Sequence, residues 1–230
     1  MASELRVTLE IGPKGKKVAA VAPDWPGLER GAKTGEAAIA RLQAYLPRYA
    51  PVATLAGMET EFAAITTDAA TTAVVEQYPG TGSTDFWGIS FAFSDIDQQG
   101  LSLDELEREL TLMQACWAFF DGVRARVSAE LQKGPRGGGR DRDRIVRHVL
   151  ATEQGLFAVK LGMHSSEGAL LTDAGLSAYR DAYHSAIRAF HAQGKPPRTW
   201  PLRYLIRHTA YHTLDHAWEM EDKDLTATRA

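Results

Sequence analysis

The chain has 230 residues, 44% of them apolar and 24% charged. That is enough for one large domain, or a main domain with an appendage, and it excludes a disordered or membrane-embedded chain. A formal net charge of −3 gives no general attraction to phosphate backbones, so nucleic acid is not an expected partner outside the locally basic residues 133–147.

Residues 4–11, "ELRVTLEI", alternate apolar and polar as a half-buried strand does. "PKGK" then supplies turn chemistry before a second apolar run, "KVAAVA", so a hairpin is expected. After "PDWPG", the segment "TGEAAIARLQAYL" offers Thr34 as N-cap and places Ala37, Ala38, Leu42 and Leu46 at helical spacing. Over residues 47–100, prolines interrupt "PRYAPVATLAGM", "TTAVVEQY" has strand composition and "PGTGS" is a turn cluster. We therefore expect a small α+β domain over residues 1–80, a linker over 81–100 and a helical domain over 101–230.

The helical part begins at Leu103. Leu106, Leu110, Met113, Trp117, Phe120 and Val127 recur on one face, and Ser102 with Glu105 forms a capping box. "KGPRGGGR" ends this helix. Further helices are expected over about 141–161, 172–192 and 200–223, the last with Pro201 in its first turn. Four long helices joined by Gly/Pro-rich connections predict a mainly α fold, an antiparallel-type four-helix bundle with a small α+β N-terminal domain.

The last helix carries "RHTAYHTLDHAWEMED", with His208, His212 and His216 at intervals of four. Its buried stripe centres on Leu202, Ile206, Thr209, Thr213 and Met220. At about 100° per residue His216 lies about 40° from that centre, His212 about 80° and His208 about 120°, which leaves His208 near solvent. Positions i and i+8 are about 12 Å apart, too far to share one ion, so the pair is His208/His212 or His212/His216; burial favours the latter. A third ligand must come from another helix. In "RDRDRIVRHVLATEQGLF", His148 sits at the edge of a stripe through Ile145, Val149 and Leu156, whereas Glu153 falls inside it and must be paired, hydrogen-bonded or protonated. His164, His184 and His191 have no partnered pattern and are expected at the surface.

A long helix, then "IVRHVLATEQGLF", then "HTLDHAWEMED" resembles the DinB-like superfamily of four-helix bundles over roughly residues 101–223. That superfamily includes transferases and isomerases dependent on low-molecular-weight thiols. The resemblance implies a divalent metal, Zn²⁺ or Ni²⁺, on His148, His212 and His216, with Glu153 as a catalytic group that orients a ligand or relays protons. It implies a metal-dependent thiol transferase or hydrolase acting on a small molecule. "VAAVAPDWPGLERGAKTGEAAIARL" is similar to the strand, turn and helix of the HicB-like α+β fold over about residues 5–46. This favours a competing expectation, a non-catalytic binding or regulatory module.

The remaining features are weaker. "KGPRGGGRDRDR", residues 133–144, lacks the lysine-serine ending of a P-loop and reads as a connection whose arginines pair with nearby aspartates. Tyr204, Tyr211 and Trp218 repeat every seven residues opposite the buried stripe and need cover, from the N-terminal domain first and a homodimer contact second. Cys116, the single cysteine, excludes an intramolecular disulfide framework; set in "MQACWAFF" it reads as a buried inert thiol. With no basic-then-apolar leader pattern and no apolar run near 18 residues, a cytoplasmic protein without a membrane partner is expected.

Overall fold

The computed structural model describes residues 4–67, 70–135, 138–166, 168–194 and 200–226. It opens with β1 (Glu4–Ile11), β2 (Val18–Val21) and β3 (Glu29–Ala32), then α1 (Gly35–Ala44), α2 (Leu46–Leu55) and α3 (Glu59–Ile65), and returns through β4 (Thr71–Pro79). The strands lie in the order β3-β2-β1-β4, antiparallel except for the β1/β4 pair, which is parallel because three helices cross between them. The expected hairpin and first helix are present, with Thr34 accepting from Ala37 N (3.2 Å). The third strand was not expected. It follows a turn in which Leu28 N donates to Trp25 O (3.0 Å) and Gly27 takes a φ of 94°. A Cβ at Gly27 would stand 2.7 Å from Leu214 Cδ1 and 3.3 Å from the Ala210 carbonyl, so this turn lies against the last helix.

Strand β1 is buried on both faces. Leu5, Val7 and Leu9 join the apolar core, while Thr8 and Glu10, on the alternate face, are also buried. What covers that second face is the segment 81–100, expected as a linker. It forms α4 (Gly82–Trp87) and α5 (Asp95–Gln98), and its Thr84 and Ser90 hydroxyls and Phe91 and Ala92 amides all donate to the Glu10 carboxylate.

The helical part consists of α6 (Leu103–Arg126), α7 (Arg142–Thr152), α8 (Asp173–Ala192) and α9 (Leu202–Asp222). The Ser102/Glu105 capping box opens α6 as expected. Helix α7 runs on into a π-helical turn, Glu153–Phe157, with Ala158 N donating to Glu153 O, and then a 3₁₀ turn, Ala158–Leu161. The continuation therefore buries Phe157 and leaves Leu156, expected in the stripe, 41% exposed. Helix α9 packs along α6 and against α7. Helix α8 is joined to α6 by Arg180–Asp121 and Arg188–Glu107 ion pairs and to α9 by Tyr183–Thr209 (3.0 Å). One apolar core runs without a break from Leu5 to Met220. The fold is thus mainly α with a small α+β part, and among the described residues no helix is long and apolar enough to cross a membrane.

The stripe Tyr204, Tyr211 and Trp218 finds its cover within the chain. Trp218 meets Tyr45 edge-on (5.2 Å between centroids), the Arg30 guanidinium lies over both rings, and Tyr204 packs on Phe93. Arg207 is buried with them. It is bidentate on Asp97 (2.6 and 2.7 Å), donates to Ser90 Oγ (3.1 Å) and stands 3.6 Å from Glu29. Helix α9 is consequently enclosed on nearly every side.

Candidate metal centre

His148 projects from α7 toward His212 and His216, one turn apart on α9. One ring nitrogen from each lies within 4.8 Å of the others. His148 Nε2 and His212 Nε2 are 3.3 Å apart, and His216 Nδ1 is 2.7 Å from Glu219 Oε2, which leaves His216 Nε2 free to face inward. His216 is buried and His148 is the most open of the three.

Burial, then the neighbouring His216, lowers the affinity of both His148 and His212 for protons; Arg140 adds to this for each. His148 and His212 are therefore neutral near pH 7, with lone pairs available. Two nitrogens each about 2.05 Å from one ion at the tetrahedral angle stand about 3.3 Å apart, the separation found between His148 and His212. Without an ion, that contact requires one of the two nitrogens to carry a proton toward the other. The donor set, three imidazoles with no thiolate, suits Zn²⁺ or Ni²⁺ and leaves coordination positions for another ligand.

Glu219 was not foreseen. Its Oε2 also accepts from Arg140 (3.0 Å) and its Oε1 from Lys223 (2.6 Å). Burial pushes this carboxyl up, but the bonds from His216 and Lys223 outweigh it and bring it down to about 2. The signal was present as His-x-x-Glu, one helical turn, in "HAWE".

Glu153 is not a member of that cluster. It is 1% exposed between α6 and α9, accepting from Trp117 Nε1 (3.1 Å) and Thr213 Oγ1 (3.5 Å), while its Oε2 has no partner. Burial raises it to about 7 against the opposing charge of Arg180.

Two histidine placements need correction. His208, expected near solvent, is 5% exposed, its ring stacked on Tyr204 (5.1 Å, 13°) and bordered by Phe91, Phe157, Trp200 and Tyr211. Burial depresses it to about 3. A regular helical projection places it outward, whereas Phe157 from the π-helical turn after α7, Trp200 just before α9 and Phe91 from segment 81–100 close over that face. His184, expected at the surface, is also buried, with its ring against Trp117. His191 binds the Leu101 carbonyl (2.7 Å), and His164 is exposed as expected.

Cys116 is fully buried and its thiol is pushed well up by that burial, so it supplies no nucleophile. Of the arginines expected to pair with nearby aspartates, Arg142 at the start of α7 pairs with Asp143, whereas Arg140, in the connection before it, reaches Glu219 on α9 instead. No protein-family model matches this chain, nor does any curated protein or solved structure.

Proposed function

We propose that the chain is a divalent-metal-binding protein of DinB-like type, with α6 to α9 as its four-helix bundle and His148, His212 and His216 as the ligands of Zn²⁺ or Ni²⁺. The supporting observation is the convergence of three imidazole nitrogens from two helices within 4.8 Å. On this reading the protein is a metal-dependent transferase of a low-molecular-weight thiol, or a hydrolase, acting on a small electrophilic molecule. When bound, the ion supplies Lewis acidity that deprotonates a thiol or water near neutral pH.

The chain's own groups have distinct tasks. Neutral His148 and His212 offer lone pairs without first losing protons. Glu153, with a carboxyl at about 7 and a hydrogen bond from Thr213, which follows His212 on α9, is the group we assign to hold or release a proton.

Elemental analysis of untagged protein, after reconstitution with Zn²⁺, Ni²⁺ and Fe²⁺, tests the reading. About one ion per chain is expected, with loss in His148→Ala and His216→Ala. A wild-type protein that retains no ion refutes it. Turnover is tested next, with metal-loaded protein and a panel of low-molecular-weight thiols.

A further inference from the structure

We propose that Glu219 is the positioning residue of the histidine centre, fixing which nitrogen of His216 faces inward and, through Arg140, where α7 presents His148. The inference rests on the metal reading above.

Two independent sets of contacts carry it. The first is local. His216 Nδ1 and Glu219 Oε2 are 2.7 Å apart across one helical turn, a geometry in which the imidazole donates and its Nε2 keeps the lone pair. His212 has no such support, since its Nδ1 is buried without a hydrogen-bond partner. The second set is long-range. The connection between α6 and α7 is pinned to the end of α9 at both of its own ends. Gln132 N donates to Lys223 O (2.8 Å), Leu131 forms a bridge with Asp224, and Arg140 reaches Glu219 (3.0 Å), which Lys223 also holds (2.6 Å). Arg140 lies two residues before α7, so the carboxylate that orients His216 also anchors the start of the helix bearing His148. A carboxylate engaged by three donors, one of them a candidate ligand, is arranged to orient rather than to react.

Two readouts test the assignment. In metal-free protein, long-range ¹H–¹⁵N spectra of the imidazoles should find His216 as the Nδ1–H tautomer, and Glu219→Ala should shift it toward Nε2–H. In reconstituted protein, competition against a chromophoric chelator should show Zn²⁺ bound roughly 10- to 100-fold more weakly in Glu219→Ala. Glu219→Gln, whose amide oxygen still accepts, should fall between, with Arg140→Ala weakening binding less than Glu219→Ala. The Co²⁺ absorption spectrum should change in Glu219→Ala, a readout of ligand geometry that loss of stability alone does not move. An Nε2–H tautomer in wild type, or wild-type Zn²⁺ affinity in Glu219→Ala, overturns the inference and leaves the triad standing. Failure of wild type to bind any ion, with the Nδ1–H tautomer present, overturns the metal reading instead. If Glu219→Ala does not fold, the Glu219→Gln affinity and the wild-type tautomer decide.

Discussion

Replacing Arg207 by Met should destabilise the protein more than any single change at its surface. Arg207 is the positive member of a buried group in which Asp97 and Glu29 are also almost wholly enclosed. Burial by itself raises the Asp97 carboxyl; Arg207, by charge and by two hydrogen bonds, outweighs that and holds it below the usual carboxylate range. Methionine fills similar volume but supplies no donor, so the two Asp97 bonds and the Ser90 bond are lost and a carboxylate is left uncompensated. Breaking a buried pair from one side costs about 3–5 kcal/mol. For a chain of this size that corresponds to a fall of roughly 6–20 °C in Tm. Urea unfolding at pH 7, followed by tryptophan fluorescence and by far-ultraviolet circular dichroism, measures it. Since one core spans the N-terminal sheet and the helices, the two signals should coincide in wild type. Adding Asp97→Asn should recover most of the loss, because the uncompensated charge is removed. A loss under about 1 kcal/mol, or no recovery in the double variant, would refute the reasoning.

Glu153→Gln should stabilise the protein, increasingly with pH. The folded carboxyl titrates at about 7 against an ordinary 4.5, so between those values the unfolded chain binds fewer protons and rising pH costs stability. The advantage of Gln over Glu should therefore grow by about 3 kcal/mol from pH 4.5 to 7 and stay level above; denaturant titrations with a pH-independent difference would contradict this. Gly31→Ala places a Cβ 2.0 Å from the Gly88 carbonyl oxygen, a backbone atom that cannot step aside, and should cost at least about 2 kcal/mol. By contrast Gly122→Ala, within α6 with nothing nearer than Arg126 Nη1 at 3.8 Å, should stabilise by about 0.5–1 kcal/mol, read from the same urea curves. His208→Phe should leave metal stoichiometry as in wild type, since His208 lies in an aromatic enclosure outside the triad; loss of the ion would reassign the ligands.

Much of the helical part was legible because its signals are local. The Ser102/Glu105 box, the apolar face of α6 and the four-residue spacing of His212 and His216 each need only one turn of helix to be read. What failed were judgements about which faces are covered. His208 lies on the side of α9 that a periodicity argument assigns to solvent, and Phe91, Phe157 and Trp200 enclose it; the Tyr204, Tyr211 and Trp218 stripe, expected to need cover from the N-terminal domain, receives it at Trp218 from Tyr45 and Arg30. Segment 81–100 was unreadable for a related reason. Its Thr84, Ser90 and Asp97 are ordinary turn and cap residues in sequence, and their burial depends on Glu10 and Arg207, which are distant along the chain. Leu156 was misplaced because a π-helical turn alters the period within a helix that otherwise looks regular.

The buried ionic groups also constrain the order of events in folding. Arg207 and Asp97 are separated by 110 positions and Arg30 and Asp215 by 185, so neither Asp97 on α5 nor Arg30 on β3 gains its partner until α9 arrives from far along the chain. The sheet's outer layer and α9 must therefore be completed together, late, after the local turns of helix have formed. Closing contacts of such span places refolding among slow, non-local topologies rather than among fast helical bundles, in spite of the predominance of helix.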